Sequence, residues 1–396
     1  MKFVVEAAGL VSGGGRTALP YRLKAIAKQG RHEYVALLAD LPEYAALKFP
    51  NLRVVLRPKC RNLVLREWHL NVTLPKLCRE ERADALLCLG NFAPHHPPVP
   101  TVVFLQNAYY VYRDEFACRG FTLRDWLILK YGWHQFRHLE GNVSVVVQSE
   151  VMKARLASQF PISPSRIFVI PDRGPSPGGL PGSCLNSRVD EGGLFTFLCV
   201  AVYFPNKNLE VLVEAAKRLR SLAQRPFRCL LTINPEQHPA ARKLLANIER
   251  EKVGDILVNI GSQPPDRLRA IYSSADAFIL PTLLESFGRP YVEAMHYGLP
   301  ILTSDRDFAR ERCQDAALYF DPLDADTIAS AMARVMEDRN LRQRLAEKGR
   351  RILAQALTWD EIAARFVEVL ERTAQGQLPK HAEPESGLQN KYALVP

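Results

Sequence analysis

Short runs of consecutive apolar residues alternate along this chain with longer segments in which apolar residues recur every three or four positions. In the first half the runs are Phe3–Ala7, Tyr34–Leu38, Arg53–Leu56, Ala85–Leu89, Val102–Leu105, Val143–Val147 and Ile167–Pro171. In the second half they are Leu194–Val202, Cys229–Ile233, Ile256–Ile260, Ala277–Leu280, Ile301–Thr303 and Ala316–Asp321. A run that is apolar on both faces predicts a strand buried on both faces. The periodic segments between them predict helices, among them 18–28, 149–158, 209–222, 327–337 and a last one from Trp359. Strictly alternating strands and helices predict an α/β fold with doubly wound parallel sheets, whose ligands collect at the carboxyl ends of the strands. The segment Arg173-Gly-Pro-Ser-Pro-Gly-Gly-Leu-Pro-Gly-Ser has no period, and places a linker near 172–192. Two domains follow, 1–185 and 186–357, with a tail at 375–396 that lacks periodicity and is expected to be disordered.

One stretch carries more information than the rest. After the strand Ala277–Leu280, Pro281 opens a loop holding Glu285, Ser286, Phe287, Gly288 and Arg289, and Pro290 sits where a first helical residue belongs. The helix continues through Glu293 until Gly298 and Pro300 end it. A helix start of this kind presents free N–H groups and a positive dipole end to an anionic or polyhydroxyl ligand. Glu285 and Glu293 flank it with seven residues between. Each alone reads equally well as a solvated or dipole-stabilising carboxylate. As a pair they suit hydroxyls at the two ends of a ligand with a diphosphate in its middle, which describes a nucleotide sugar. Lys207 follows the strand 194–202 at a helix start, where an ammonium neutralises a departing diphosphate. A surface lysine near a helix cap is the plainer reading of that residue by itself.

The sequence Glu285-Ser-Phe-Gly-Arg-Pro-Tyr-Val-Glu293-Ala-Met-x-x-Gly-Leu-Pro resembles the E-x7-E signature of retaining, family-four (group 1) glycosyltransferases of the GT-B fold. The resemblance implies two Rossmann-like doubly wound domains facing across a cleft. The N-terminal one takes the acceptor, the C-terminal one takes the donor, and a helix at about 358–374 packs back across the interface. It implies transfer of a hexose of mannose or glucose type from a nucleotide-diphosphate sugar to a glycan or lipid-linked acceptor, in bacterial cell-surface polysaccharide synthesis. Glu285, with Ser286 and the backbone of Phe287 and Gly288, would hold the hexose, and Glu293 the ribose. Lys207, with Arg289 nearby, would face the diphosphate, together with the glycine loop at Gly14 and Gly15. The family carries an arginine where this chain has Val202. Neither Asp305-Arg-Asp307 nor Asp324-Ala-Asp326 sits like a metal-binding D-x-D; Asp324 reads as a helix cap, and no metal or other cofactor is expected. A silent nucleotide-sugar binder and a sugar-nucleotide epimerase are the rival readings.

Composition adds three things. Eight scattered cysteines without a C-x-x-C point to reduced thiols, and the start of the chain lacks a signal-peptide layout, so a cytoplasmic protein is expected. Asn91, His95, Gln106 and Asn107 all follow strands of the first half and are acceptor-side candidates; the adjacent His95 and His96 lack a third metal ligand. Finally, residues 1–190 hold 25 Lys plus Arg against 15 Asp plus Glu, whereas 191–396 hold 27 of each. The whole net charge of +10 therefore sits in the first half. Cations interleave with aromatics in Arg57–Trp68 and in Phe121–Leu139, which carries Leu123, Trp126, Leu127, Tyr131 and Trp133 at helical spacing. That helix is either core-facing with a solvated basic side, or a peripheral anchor to an anionic membrane face. No recognition motif for nucleic acid accompanies the charge.

Overall fold

The computed structural model describes residues 1–11, 13–58, 63–112, 118–139, 141–174 and 193–377. The expected linker near 172–192 from residue 175 on, the tail beyond 377, and Lys59 and Arg61 of the first basic stretch lie outside them. Each apolar run forms its strand. β1 (Lys2–Ala7), β2 (Glu33–Ala39), β3 (Leu52–Arg57), β4 (Ala85–Cys88), β5 (Thr101–Phe104), β6 (Val143–Val147) and β7 (Ile167–Val169) make one sheet in the order β3-β2-β1-β4-β5-β6-β7. β8 (Phe195–Cys199), β9 (Phe227–Leu231), β10 (Leu257–Asn259), β11 (Ala277–Leu280), β12 (Ile301–Ser304) and β13 (Ala317–Phe320) make the other, in the order β10-β9-β8-β11-β12-β13. Every pairing is parallel. In both sheets the order reverses beside the first strand, at β1/β4 and at β8/β11. Those are the points where such sheets leave a crevice for a ligand.

The chain divides into two compact units, Met1–Tyr112 with Arg124–Pro175 and Leu357–Pro396, and Arg113–Leu123 with Ser176–Ala356. The helix Trp359–Ala374 belongs to the first. A capping box between Thr358 and Glu361 starts it, and Ile362, Phe366, Val367 and Leu370 enter the core built on Phe3, Val5 and Phe104. Phe366 meets Phe104 edge-on at 5.2 Å. The second unit has its own core, in which Phe197, Phe278 and Tyr291 are fully buried.

Three local features differ from the pattern-based expectation. The first helix spans Gly13–Lys28 rather than starting at Ala18, so Gly14 and Gly15 form its opening turn instead of a loop before it. Gly13 takes φ +66° at the start of the helix, a conformation that glycine adopts without strain. The expected helix 209–222 forms from Val211 to Leu222, and a 3-10 turn Pro205–Lys207 and a left-handed Asn208 precede it. In the helix Leu123–Arg137 the core face is Leu129, Gly132 and Phe136, while Leu123, Trp126 and Leu127 are exposed. The apolar residues there occupy two faces, which helical spacing alone does not tell apart.

Candidate active site

In the second unit the crevice at β8/β11 is framed by two loops, and two asparagines join them. The Asn206 side chain donates to the Leu284 carbonyl (2.8 Å), and the backbone carbonyl of Asn206 accepts from the Leu283 N–H (2.7 Å) and the Thr282 hydroxyl (3.0 Å). Asn208, held at φ +52°, donates to the carbonyls of Pro281 (3.2 Å) and Pro322 (2.7 Å). Between them Lys207 is aimed at one target: its ammonium pairs with Glu285, and both side chains are mostly buried. The two residues expected to act on a diphosphate and on hexose hydroxyls are therefore brought into direct contact. The asparagines that place them were missed. The only signal was the Asn-Lys-Asn triplet after a strand end, and asparagine tolerates the left-handed turn that triplet requires.

Gly288 caps the helix Arg289–His296 at φ +72°. A Cβ there would stand 2.4 Å from the Tyr291 ring, so only glycine allows both the turn and the tight first coil. Phe287 is buried under Arg312, whose guanidinium stacks on the ring (3.9 Å) and donates to the Phe287 carbonyl (3.1 Å). This pins the loop by its carbonyl side where it enters the helix.

Glu293 lies one turn in. Burial pushes its carboxyl above the usual range, while the Tyr272 hydroxyl, donating at 2.9 Å, and the nearby Arg289 guanidinium pull it back. Tyr272 is itself stacked on Tyr297 with ring centres 5.1 Å apart. One carboxyl oxygen of Glu293 is thus fixed by an aromatic pair. Val202 is 51% exposed and supplies no charge where the family resemblance expects one. The Arg173 guanidinium donates to the Leu357 carbonyl at 2.7 Å. Asp305 chelates Arg310 (2.7 and 2.8 Å) and Asp324 caps the helix Ala325–Glu337, so both lead residues of the two D-x-D patterns have structural partners.

In the first unit, Asn91, Gln106 and Asn107 come together at the strand ends. The Asn91 side-chain oxygen accepts from the N–H groups of Gln106 (2.7 Å) and Asn107 (3.0 Å), and the Gln106 amide donates to the Leu89 carbonyl (2.8 Å). Gly15 approaches this group: a Cβ on it would lie 3.4 Å from the Gln106 side chain. His95 stands apart. Its ring meets Glu67 at 3.2 Å and its N–H donates to Asn71 at 2.7 Å, in a separate polar cluster.

Residues 187–352 match the family described as glycosyl transferases group 1. The chain is 24% identical over 248 residues to an MMP alpha-(1->4)-mannosyltransferase of Mycolicibacterium hassiacum, covering 61% of this chain and 58% of that protein. It is 27% identical over 174 residues to a lipopolysaccharide 1,2-N-acetylglucosaminetransferase of Salmonella typhimurium, covering 41% and 45%. The matched stretches thus span about half the length of these curated relatives. Among solved structures, a sucrose-phosphate synthase from Thermosynechococcus elongatus superposes with a TM-score of 0.72 at 16% identity, over 95% of this chain and 100% of the other.

Proposed function

We propose, for a chain that belongs through residues 187–352 to the group 1 glycosyl transferases and has two doubly wound sheets of the GT-B kind, that it is a retaining hexosyltransferase. It would move a hexose from a nucleotide-diphosphate sugar to a glycan or lipid-linked acceptor in cell-surface polysaccharide synthesis. Relatives named as a mannosyltransferase and as a lipopolysaccharide sugar transferase support that class of substrate. In the reaction the bond from the anomeric carbon to the diphosphate oxygen breaks, and a bond to the acceptor hydroxyl forms on the same face. The hydroxyl proton passes to the departing phosphate oxygen, so the chain need supply no base. What it supplies is charge: Lys207 has more N–H donors than Glu285 can occupy, and the remainder can meet the phosphate. Glu285 and the N–H groups at Gly288 would orient the hexose, and Glu293 the ribose. With Lys207 as the cation, the step calls for no metal.

The observation that carries this reading is the Lys207–Glu285 pair at the β8/β11 reversal, beside a helix start with Glu293 one turn inside. The experiment is a screen of UDP- and GDP-hexoses for slow donor hydrolysis, followed by assignment of the anomeric configuration of any product by NMR. Release of nucleotide from one donor, with retained configuration, is the expected result. Binding without release would favour a silent binder, and interconversion of two nucleotide sugars an epimerase.

Two helical runs in the first half of the chain support a peripheral site of work. No helix of the described residues is long and apolar enough to cross a membrane. Yet Val64, Leu65, Trp68 and Val72 project from one helical run and Leu123, Trp126 and Leu127 from another, all exposed. The two runs adjoin, since Arg66 of the first lies over the Tyr131 ring of the second. Exposed Arg124, Lys130 and Arg137 lie along the second run. Apolar faces with cations beside them are what an anionic bilayer surface takes up.

A further inference from the structure

Between the ends of β1 and β4, where the order of the first sheet reverses, lies a cavity of about 270 Å³. Glu6 closes it from the end of β1, Asn91 and Asn107 from the neighbouring loops, and Arg66 and His69 from the helical run above. Glu6 is 3% and His69 7% exposed. Burying such groups costs free energy unless they are paired, so their hydrogen bonds have to be accounted for.

The helical run itself is distorted to bring them there. Leu63–Trp68 and Leu74–Glu80 are α-helical, but His69–Thr73 between them is π-helical, with the Leu74 N–H reaching back five residues to the His69 carbonyl. Pro75 explains the change: it has no N–H to give to Asn71, so the regular ladder cannot run through this turn. The widened turn lines the cavity with His69. Segments of this kind recur at functional sites.

The polar accounting then leaves two donors over. Glu6 accepts from the Ala8 N–H at 3.0 Å and lies 3.6 Å from His69 Nε2, beyond an ordinary hydrogen bond. His69 Nε2 and Arg66 Nη2 are both buried without a hydrogen-bond partner among the described residues. Arg66 sits over Phe92, its guanidinium carbon 4.0 Å from the ring centre, a cation–π contact that holds the fork at the cavity wall. Gly90 keeps the far wall open, since a Cβ there would stand 3.0 Å from the other Glu6 oxygen.

We propose that this cavity selects an acceptor saccharide carrying an anionic group, a phosphate or a carboxylate, which Arg66 and His69 hold while Glu6 takes a neighbouring hydroxyl. The proposal rests on the glycosyltransferase reading above and names the acceptor class within it. An arginine fork matches either anion in a two-point contact, whereas a neutral sugar would leave both buried donors poorly met. The volume falls just under the usual range for small-molecule sites of about 300–1,000 Å³, and so suits one sugar ring rather than an oligosaccharide.

The test uses the full chain and calorimetric titration with glucose, glucose 6-phosphate, glucuronate and inorganic phosphate. At least one of the two anionic sugars should bind about tenfold more tightly than glucose. Arg66→Gln and His69→Asn should each remove that preference, and Arg66→Lys should keep part of it. Binding of UDP or GDP should be the same in all variants. Equal affinity for glucose and both anionic sugars, or a preference that survives Arg66→Gln, overturns the proposal. Inorganic phosphate binding as tightly as the sugar phosphate overturns it as a saccharide site. Should a variant fail to fold, the His69 ring resonances of the parent decide the matter, because they must shift on addition of the preferred sugar. Failure of UDP and GDP to bind the parent would remove the glycosyltransferase reading itself; with nucleotide bound and no anionic preference, only this inference falls. Offering the same anionic sugar free and on a lipid then separates a soluble from a lipid-borne acceptor.

Discussion

Lys207 and Glu285 hold each other in place, and that contact makes two roles separable by experiment. Removing the lysine alone leaves a mostly buried carboxylate uncompensated, which should cost about 1–3 kcal/mol of stability by chemical denaturation. The double variant Lys207→Ala/Glu285→Ala should recover most of that loss. Donor turnover should stay low in both, with about 2–4 kcal/mol added to the barrier for losing the cation at the leaving group. If the double variant regains turnover along with stability, the pair is structural and the charge acts elsewhere. Glu293 gives the complementary case. Its folded-state carboxyl is shifted up by burial, so the folded protein holds a proton more tightly than the unfolded chain does. Stability from this group is then full at low pH and falls as pH rises from the ordinary carboxylate value of about 4.3 towards the raised one. Glu293→Gln keeps an acceptor for Tyr272 and removes that fall. Its melting temperature relative to the parent should therefore rise with pH, while its affinity for the nucleotide diphosphate drops. A variant less stable at neutral pH and unchanged in nucleotide binding would contradict both halves.

At the scale of elements, the sequence was read best where one physical rule acted alone. Every strand follows from an apolar run, fully buried in β4, β5, β6 and β8 and half-exposed in the edge strands β3 and β10, and the ends differ by a residue or a few. The E-x7-E loop followed from proline and glycine punctuation, and its glycine proves indispensable for a steric reason. Gly288→Ala should destabilise by at least about 1 kcal/mol, since the new Cβ must displace the Tyr291 ring as well as hold a left-handed turn. A variant that melts like the parent would mean that the loop relaxes freely. What the pattern hid were features set by contacts distant in sequence. Asn206 and Asn208 look like loop residues until Leu284, Pro281 and Pro322 arrive to be bonded. Glu6 looks like an interruption in an apolar strand, and His69 like any polar helix residue, until the π turn sets them 3.6 Å apart. The outward turn of Leu123, Trp126 and Leu127 was hidden for the opposite reason. Spacing shows that residues share a helix face, but not which face meets the core.

Across the whole molecule, the distribution of charge matters more than its total. Residues 1–190 carry all of the net +10, and the exposed apolar residues of the two adjoining helical runs lie in that same part of the chain. Trp68 is 58% and Leu123 77% exposed, although burial is the usual fate of such side chains. Cations near an anionic bilayer contribute about 1 kcal/mol each within a Debye length, and inserted apolar side chains add a term that salt does not screen. The two contributions separate by ionic strength. The protein should sediment with vesicles containing anionic lipid at low salt, and release in large part at high salt. Arg124→Gln, Lys130→Gln and Arg137→Gln together should abolish the salt-sensitive part without lowering the melting temperature, since all three side chains are exposed. Trp68→Ser with Leu123→Ser should instead weaken the residual, salt-resistant binding. A parent protein that ignores anionic vesicles even at low salt would make the basic and apolar faces a contact for something other than a bilayer, and a soluble acceptor would become the better reading of the site.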